Sequence, residues 1–143
     1  MAFFFSYIAW LSVSRQDIAS SQNFRLVRDT ILQVQELSEA AGARLMLVYV
    51  PSKAHVYLPY MNDNEILSRV FTGVPTLGLD EAGFLQFTHQ TATPELTYRH
   101  MDDQARLLAE FAANKNINYL DLTSPFQEEA GAGAELYYPF DAH

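Results

Sequence analysis

The chain has 143 residues, 49% hydrophobic and 18% charged, a balance that fits one globular domain. That length can bury a core without disulfides or a structural metal, and the absence of cysteine excludes a disulfide scaffold and a cysteine nucleophile. The net charge is −8 and the nine Lys and Arg residues are scattered singly, so no basic run is available to neutralise phosphates. Nucleic acid and anionic membrane surfaces are therefore poor partners.

Residues 1–11 (MAFFFSYIAWL) form the one stretch that resembles a targeting segment. It has no basic residue ahead of the apolar run and no small-residue cleavage pattern after it, and it is far shorter than the roughly 20 residues needed to span a bilayer. A packed helix is the better reading, and any export signal or membrane anchor is expected outside this chain. From Ser20 or Ser21 to residue 41, Phe24, Val27, Ile31, Val34 and Leu37 recur at helical spacing. A serine can cap the start, and Gly42 follows as a stop signal. Residues 44–50 (RLMLVYV) are a nearly continuous apolar run closed by Pro51, the pattern of a strand buried on both faces in a parallel sheet.

Residues 51–60 (PSKAHVYLPY) leave the carboxyl end of that strand, where open α/β sheets place their ligands. Residues 62–71 read as a short helix. Residues 72–93, with three glycines and Pro75, read as an irregular excursion. A second long helix is expected over 94–114, with Pro94 in its first turn and Leu96, Met101, Leu108 and Phe111 on its apolar side. A strand at 118–122 (NYLDL), a short helix at 124–132 and an extended segment from Tyr137 to His143 complete the chain. Two helix–strand units, 21–50 and 94–122, imply parallel strands joined by right-handed crossovers. The expected fold class is α/β, a three-layer α/β/α sandwich. Two strands make an incomplete sheet, so the chain reads as a cut domain.

Asp141 and His143 are the sharpest chemical feature. Residues two apart in extended backbone point to the same side, with Cα atoms about 6.5–7 Å apart. The aspartate can then hold imidazole Nδ1 and leave Nε2 free as a base. The spacing alone is weak, because Asp-x-His occurs by chance in many proteins, and on that ground alone a solvent-exposed polar tail is the stronger reading. Lys53 and Tyr57 follow the first strand and are candidates to line a substrate groove; a lysine at a helix start with a tyrosine packed under it is the other reading. Asp141, His143 and His55 together offer metal-ligand chemistry, but no His-x-x-x-His or similar paired spacing supports a metal site. His89 and His100, the latter beside Asp102 and Asp103, carry no motif. Ser52 is a weak substitute nucleophile, because no glycine-flanked elbow surrounds it.

Three segments, LVYVPSKAHVYLPY (47–60), YLDLTSPFQEEA (119–130) and ELYYPFDAH (135–143), resemble the SGNH (GDSL-like) hydrolase superfamily. The nearest branch is the bacterial one that includes alginate O-acetyltransferase-like proteins. The resemblance runs through most of residues 24–143, with 72–93 as a variable insert, and its last block looks like the family's approach to Asp-x-His-Trp. It implies a flavodoxin-like sheet, Asp141 as the orienting acid and His143 as the general base. It also implies acyl chemistry, acetyl above all, on an acylated small molecule or polysaccharide, with no cofactor and a periplasmic or cell-envelope setting. The family's Gly-Asp-Ser nucleophile block does not occur in residues 1–143, so the serine is expected outside them and the chain alone is expected to be inactive. The alternative is a non-catalytic SGNH-like module that binds carbohydrate or docks onto a membrane acyl-transfer partner.

Overall fold

The computed structural model describes residues 5–61 and 93–137. The predicted helix at 62–71, the excursion at 72–93 and the Asp141–His143 pair lie outside the described residues. In chain order the elements are α1 (Phe5–Leu11), α2 (Arg15–Ser20), α3 (Gln22–Ala40), β1 (Met46–Tyr49), α4 (Lys53–Tyr57) and a 3₁₀ turn (Leu58–Tyr60). After the gap come α5 (Pro94–His100), α6 (Asp103–Asn114), β2 (Asn118–Asp121) and α7 (Thr123–Gly131).

Helix starts follow local chemistry. Ser14, Ser21, Ser52 and Thr93 each place a side-chain oxygen on the N–H three residues ahead, satisfying a donor that the first turn leaves open. Helix stops are equally regular. Past α3, Gly42 (φ +71°) donates to Glu39 O at 3.0 Å and Ala43 donates to Ser38 O at 2.8 Å. Past α6, Asn116 (φ +54°) and Ile117 make the matching bonds to Ala113 O and Ala112 O; past α7, Gly133 (φ +95°) and Ala134 do so to Ala130 O and Glu129 O. All three are Schellman stops, which need one left-handed residue and reverse the chain sharply. The first two deliver β1 and β2 from parallel starting points.

The strands pair in parallel, with Met46 opposite Asn118 and Tyr49 opposite Asp121. The expected mixed α/β chain with parallel strands is what the structure contains. One sheet face carries Leu47, Tyr49 and Tyr119, all partly buried, and α6 covers it: the Tyr119 hydroxyl donates to Ala105 O at 3.1 Å. α3 reaches α6 through a Gln35 bond to Lys115 O and through Arg28 over the Phe111 ring. The opposite face holds Met46, Val48, Val50 and Leu120, each between 45% and 58% exposed. The expectation of a strand buried on both faces is thus corrected: among the described residues helices cover one face of β1, so burial alternates along it. The single helix expected over 94–114 is also corrected. It breaks at Met101 and Asp102 into α5 and α6.

The main apolar cluster joins Ile8, Ala9 and Leu11 of α1 to Ala54, Leu58 and Met101. The described part of the N-terminal stretch is therefore the packed helix its composition suggested, and no helix among the described residues is long and apolar enough to cross a membrane. Val27, Val34 and Leu37 of α3 remain exposed, as does the outer sheet face. Exposed apolar side chains in such number favour association. The chain is expected to bind a hydrophobic dye strongly, and Val48→Lys should weaken that binding; a dye-silent, sharply unfolding monomer would contradict this reading of the surface.

Candidate functional site

Both strands run toward the same end, and the groups with chemical capacity gather there. β1 leads through Pro51 into Ser52, whose Oγ accepts from His55 N at 3.3 Å and starts α4. β2 leads into α7, where Asp121 Oδ1 accepts from Thr123 N at 2.8 Å. α4 and α7 pack side by side, tied by Gln127 Nε2 donating to His55 O at 3.1 Å and by Tyr60 Oη donating to Gln127 O at 2.7 Å. A Cβ at Gly131 would lie 3.0 Å from the Tyr60 ring, so this approach depends on glycine.

Lys53 occupies the first position of α4 and is 3% exposed, so its stem and ammonium face protein rather than bulk water. Tyr57, one turn later, is half-buried with its hydroxyl engaged twice: it donates to Ala134 O at 3.1 Å and accepts from Leu136 N at 3.0 Å. Its ring meets Tyr137 edge-on at 6.1 Å, and Tyr137 meets Phe126 at 6.2 Å. Tyr137 Oη donates to Pro51 O at 2.6 Å. The segment that runs toward Asp141 is therefore fastened to the carboxyl end of β1, beside Lys53.

His55 is fully buried, and its Nε2 donates to Asp102 Oδ1 at 3.0 Å. Arg106 donates to the other oxygen of Asp102 at 3.0 Å, one helical turn on. The Tyr49 ring stands edge-on to the imidazole at 6.4 Å, and His55 Nδ1 is buried with no hydrogen-bond partner. Sequence reading missed this pair because its members lie 47 positions apart; the one local signal was the Asp102-x-x-x-Arg106 spacing, which orients the carboxylate but does not name the histidine. His100 pairs instead with Asp103 at 2.8 Å. Among the described residues no cluster of three or more His, Asp or Glu side chains is placed to hold a metal. A cleft of about 370 Å³ lined by Gln35, Glu39, Arg44, Asn116 and Asn118 lies at the opposite end of the strands.

No family model, curated protein or solved structure matches the chain.

Three phenols here resist ionisation. Burial, then the neighbouring Tyr119, Asp121 and Asp102, pushes Tyr49 well above the ordinary phenol range. Burial followed by Asp121 raises Tyr119 to about 12, and burial followed by Tyr57 raises Tyr137 to about 12. Folded-state values above the unfolded ones mean that the stability these groups contribute is complete below about pH 10 and is lost as pH rises through about 12. An alkaline titration followed by phenolate absorbance should show the late fraction of the eight tyrosines ionising together with unfolding. Uniform ionisation near pH 10 with the fold intact would contradict the packing around Tyr49, Tyr119 and Tyr137.

Proposed function

We propose that this chain is part of an SGNH-type serine esterase or O-acyltransferase, acting on acetyl esters of a carbohydrate or another cell-envelope substrate. One observation carries the reading: Tyr137 is bonded to Pro51 O at the carboxyl end of β1, four residues before Asp141. In this reading the Asp-x-His pair and Lys53 belong to one end of the sheet. That is the end where parallel α/β sheets work. In this reading a serine outside residues 1–143 attacks the acyl carbon, His143 takes its proton and Asp141 holds the imidazole. Lys53 and Tyr57 belong to the wall of the substrate groove. The complete domain is a three-layer sandwich whose second helical layer covers Met46, Val48, Val50 and Leu120.

The test is a version of the protein extended through the adjoining coding sequence. It should contain a Gly-Asp-Ser block and cleave an activated acetyl ester, whereas residues 1–143 should not exceed the background set by His143→Ala at equal concentration. An extended protein that lacks the block and any ester cleavage defeats the enzymatic reading. A second reading, a partner-docking module, is favoured by the exposed sheet face, and it is the one left standing by that outcome.

A further inference from the structure

We propose that two copies of this chain pair in antiparallel fashion along the outer edge of β1, about a two-fold axis at Val48. The proposal stands apart from the acyl-chemistry reading and uses none of its residues.

The open edge follows from the ladder. Each strand residue sends its N–H and C=O to one side, and successive residues alternate sides. Leu122 N donates to Tyr49 O at 3.1 Å, so Tyr49 and, two positions back, Leu47 turn their backbone groups toward β2. Met46, Val48 and Val50 turn theirs the other way. Among the described residues no third strand joins the sheet and no backbone hydrogen bond reaches that side. Val50 continues the line, because Pro51 restricts the residue before it to extended backbone.

An open strand edge is a template for another strand, and folds usually blunt it with charge, proline or a bulge. β1 has none of these. Residues 46–50 (MLVYV) contain neither charge nor proline, and the register with β2 runs unbroken from Met46 to Tyr49. The other strand differs, since β2 carries Asn118 and Asp121.

Symmetry selects a second copy as the occupant. The outward positions 46, 48 and 50 are centred on Val48. An antiparallel partner of the same sequence sets Val48 against its counterpart and Met46 against Val50 of the second copy. Each such pair exchanges both of its hydrogen bonds, and no outward group is left over. The side chains agree with this register. All three stand on the bare sheet face, about half exposed, and apolar or β-branched cross-strand pairs are stabilising. Charge permits it too. A chain of net charge −8 repels its own copy wherever acidic residues meet, and this segment has none. The pairing is also closed, for it uses up the same edge on both copies. So short an edge buries little surface, which makes the dimer concentration-dependent.

Because the chain contains no cysteine, a single introduced thiol reports the contact. Sedimentation velocity of the 143-residue chain should show monomer when dilute and dimer as concentration rises. Val48→Cys should form a covalent dimer under mild oxidation, since hydrogen-bonded antiparallel partners have Cα atoms about 5.5 Å apart, within disulfide reach. Leu120→Cys lies on the same sheet face but with its backbone turned to β1, and it should cross-link about tenfold more slowly. In concentrated urea the two rates should become equal. A chain that stays monomeric at high-micromolar concentration overturns the proposal, and that result stands whether or not the cysteine variants fold. Equal cross-linking of Leu120→Cys and Val48→Cys in the folded state overturns it as well, since the copies would then meet face to face or at random. Growth beyond the dimer overturns the closed pairing.

Discussion

On the proposed acyl-chemistry reading, His143→Ala in a version extended to include a serine block is expected to reduce turnover of an acetyl ester by several orders of magnitude. The size follows from the division of labour. A serine hydroxyl is a poor nucleophile until a base takes its proton, and the same base returns it to the leaving group, so losing the base disables both half-reactions. Asp141→Asn should lower turnover on the order of 10⁴-fold, because the amide no longer accepts from Nδ1–H and the imidazole settles in the wrong tautomer. KM should change much less than kcat, since neither side chain is asked to bind the ground state. Lys53→Met provides the contrast. On the groove reading its loss should raise KM with kcat largely kept. An active extended protein whose rate is indifferent to both His143→Ala and Asp141→Asn would remove the two residues from the mechanism.

Much of the framework was legible because it depends on local signals. The Val27–Leu37 periodicity, the capping Ser21 and the stop at Gly42 gave α3 to within a residue or two, and the apolar run before Pro51 gave β1. What was not legible needed partners distant in sequence. Nothing in PELTYRHMDDQARLL announces a break, for it contains no interior glycine or proline and its apolar spacing continues across Met101. At that junction Asp102 sets one carboxylate oxygen on buried His55 and the other on Arg106, partners that no local pattern announces. Tyr57 shows the same limit. Its place after the strand was visible, but its two backbone partners lie 77 and 79 positions on, and neither sequence reading, groove lining or packing under Lys53, could name them. The bare face of β1 was hidden for a third reason, since alternation of burial depends on which helices are present and not on the strand's own composition.

Leu58→Ala is expected to produce a large stability loss, about 2–5 kcal/mol. Leu58 is fully buried in the 3₁₀ turn after α4, in the cluster that unites Ile8 and Leu11 with Ala54 and Met101. Its carbonyl also accepts from the Tyr98 hydroxyl at 3.1 Å and from Met61 N at 3.1 Å, so the surrounding backbone is held from two sides and can collapse little into the space left behind. Limited collapse is what makes a cavity costly. Domains of this size are stable by about 5–15 kcal/mol, so the loss could consume a large share of the margin. Met46→Ala removes a comparable volume from a side chain that is 56% exposed on the open sheet face, and it should cost less than about 1 kcal/mol. Urea unfolding of the two variants beside the parent separates these sites, the midpoint falling far for Leu58→Ala and little for Met46→Ala. Equal losses would mean that the core does not sit where α1, α4 and the Met101 junction meet, or that the face bearing Met46 is covered in solution by a second copy of the chain, which dilution of the Met46→Ala protein would then reveal as a concentration-dependent midpoint.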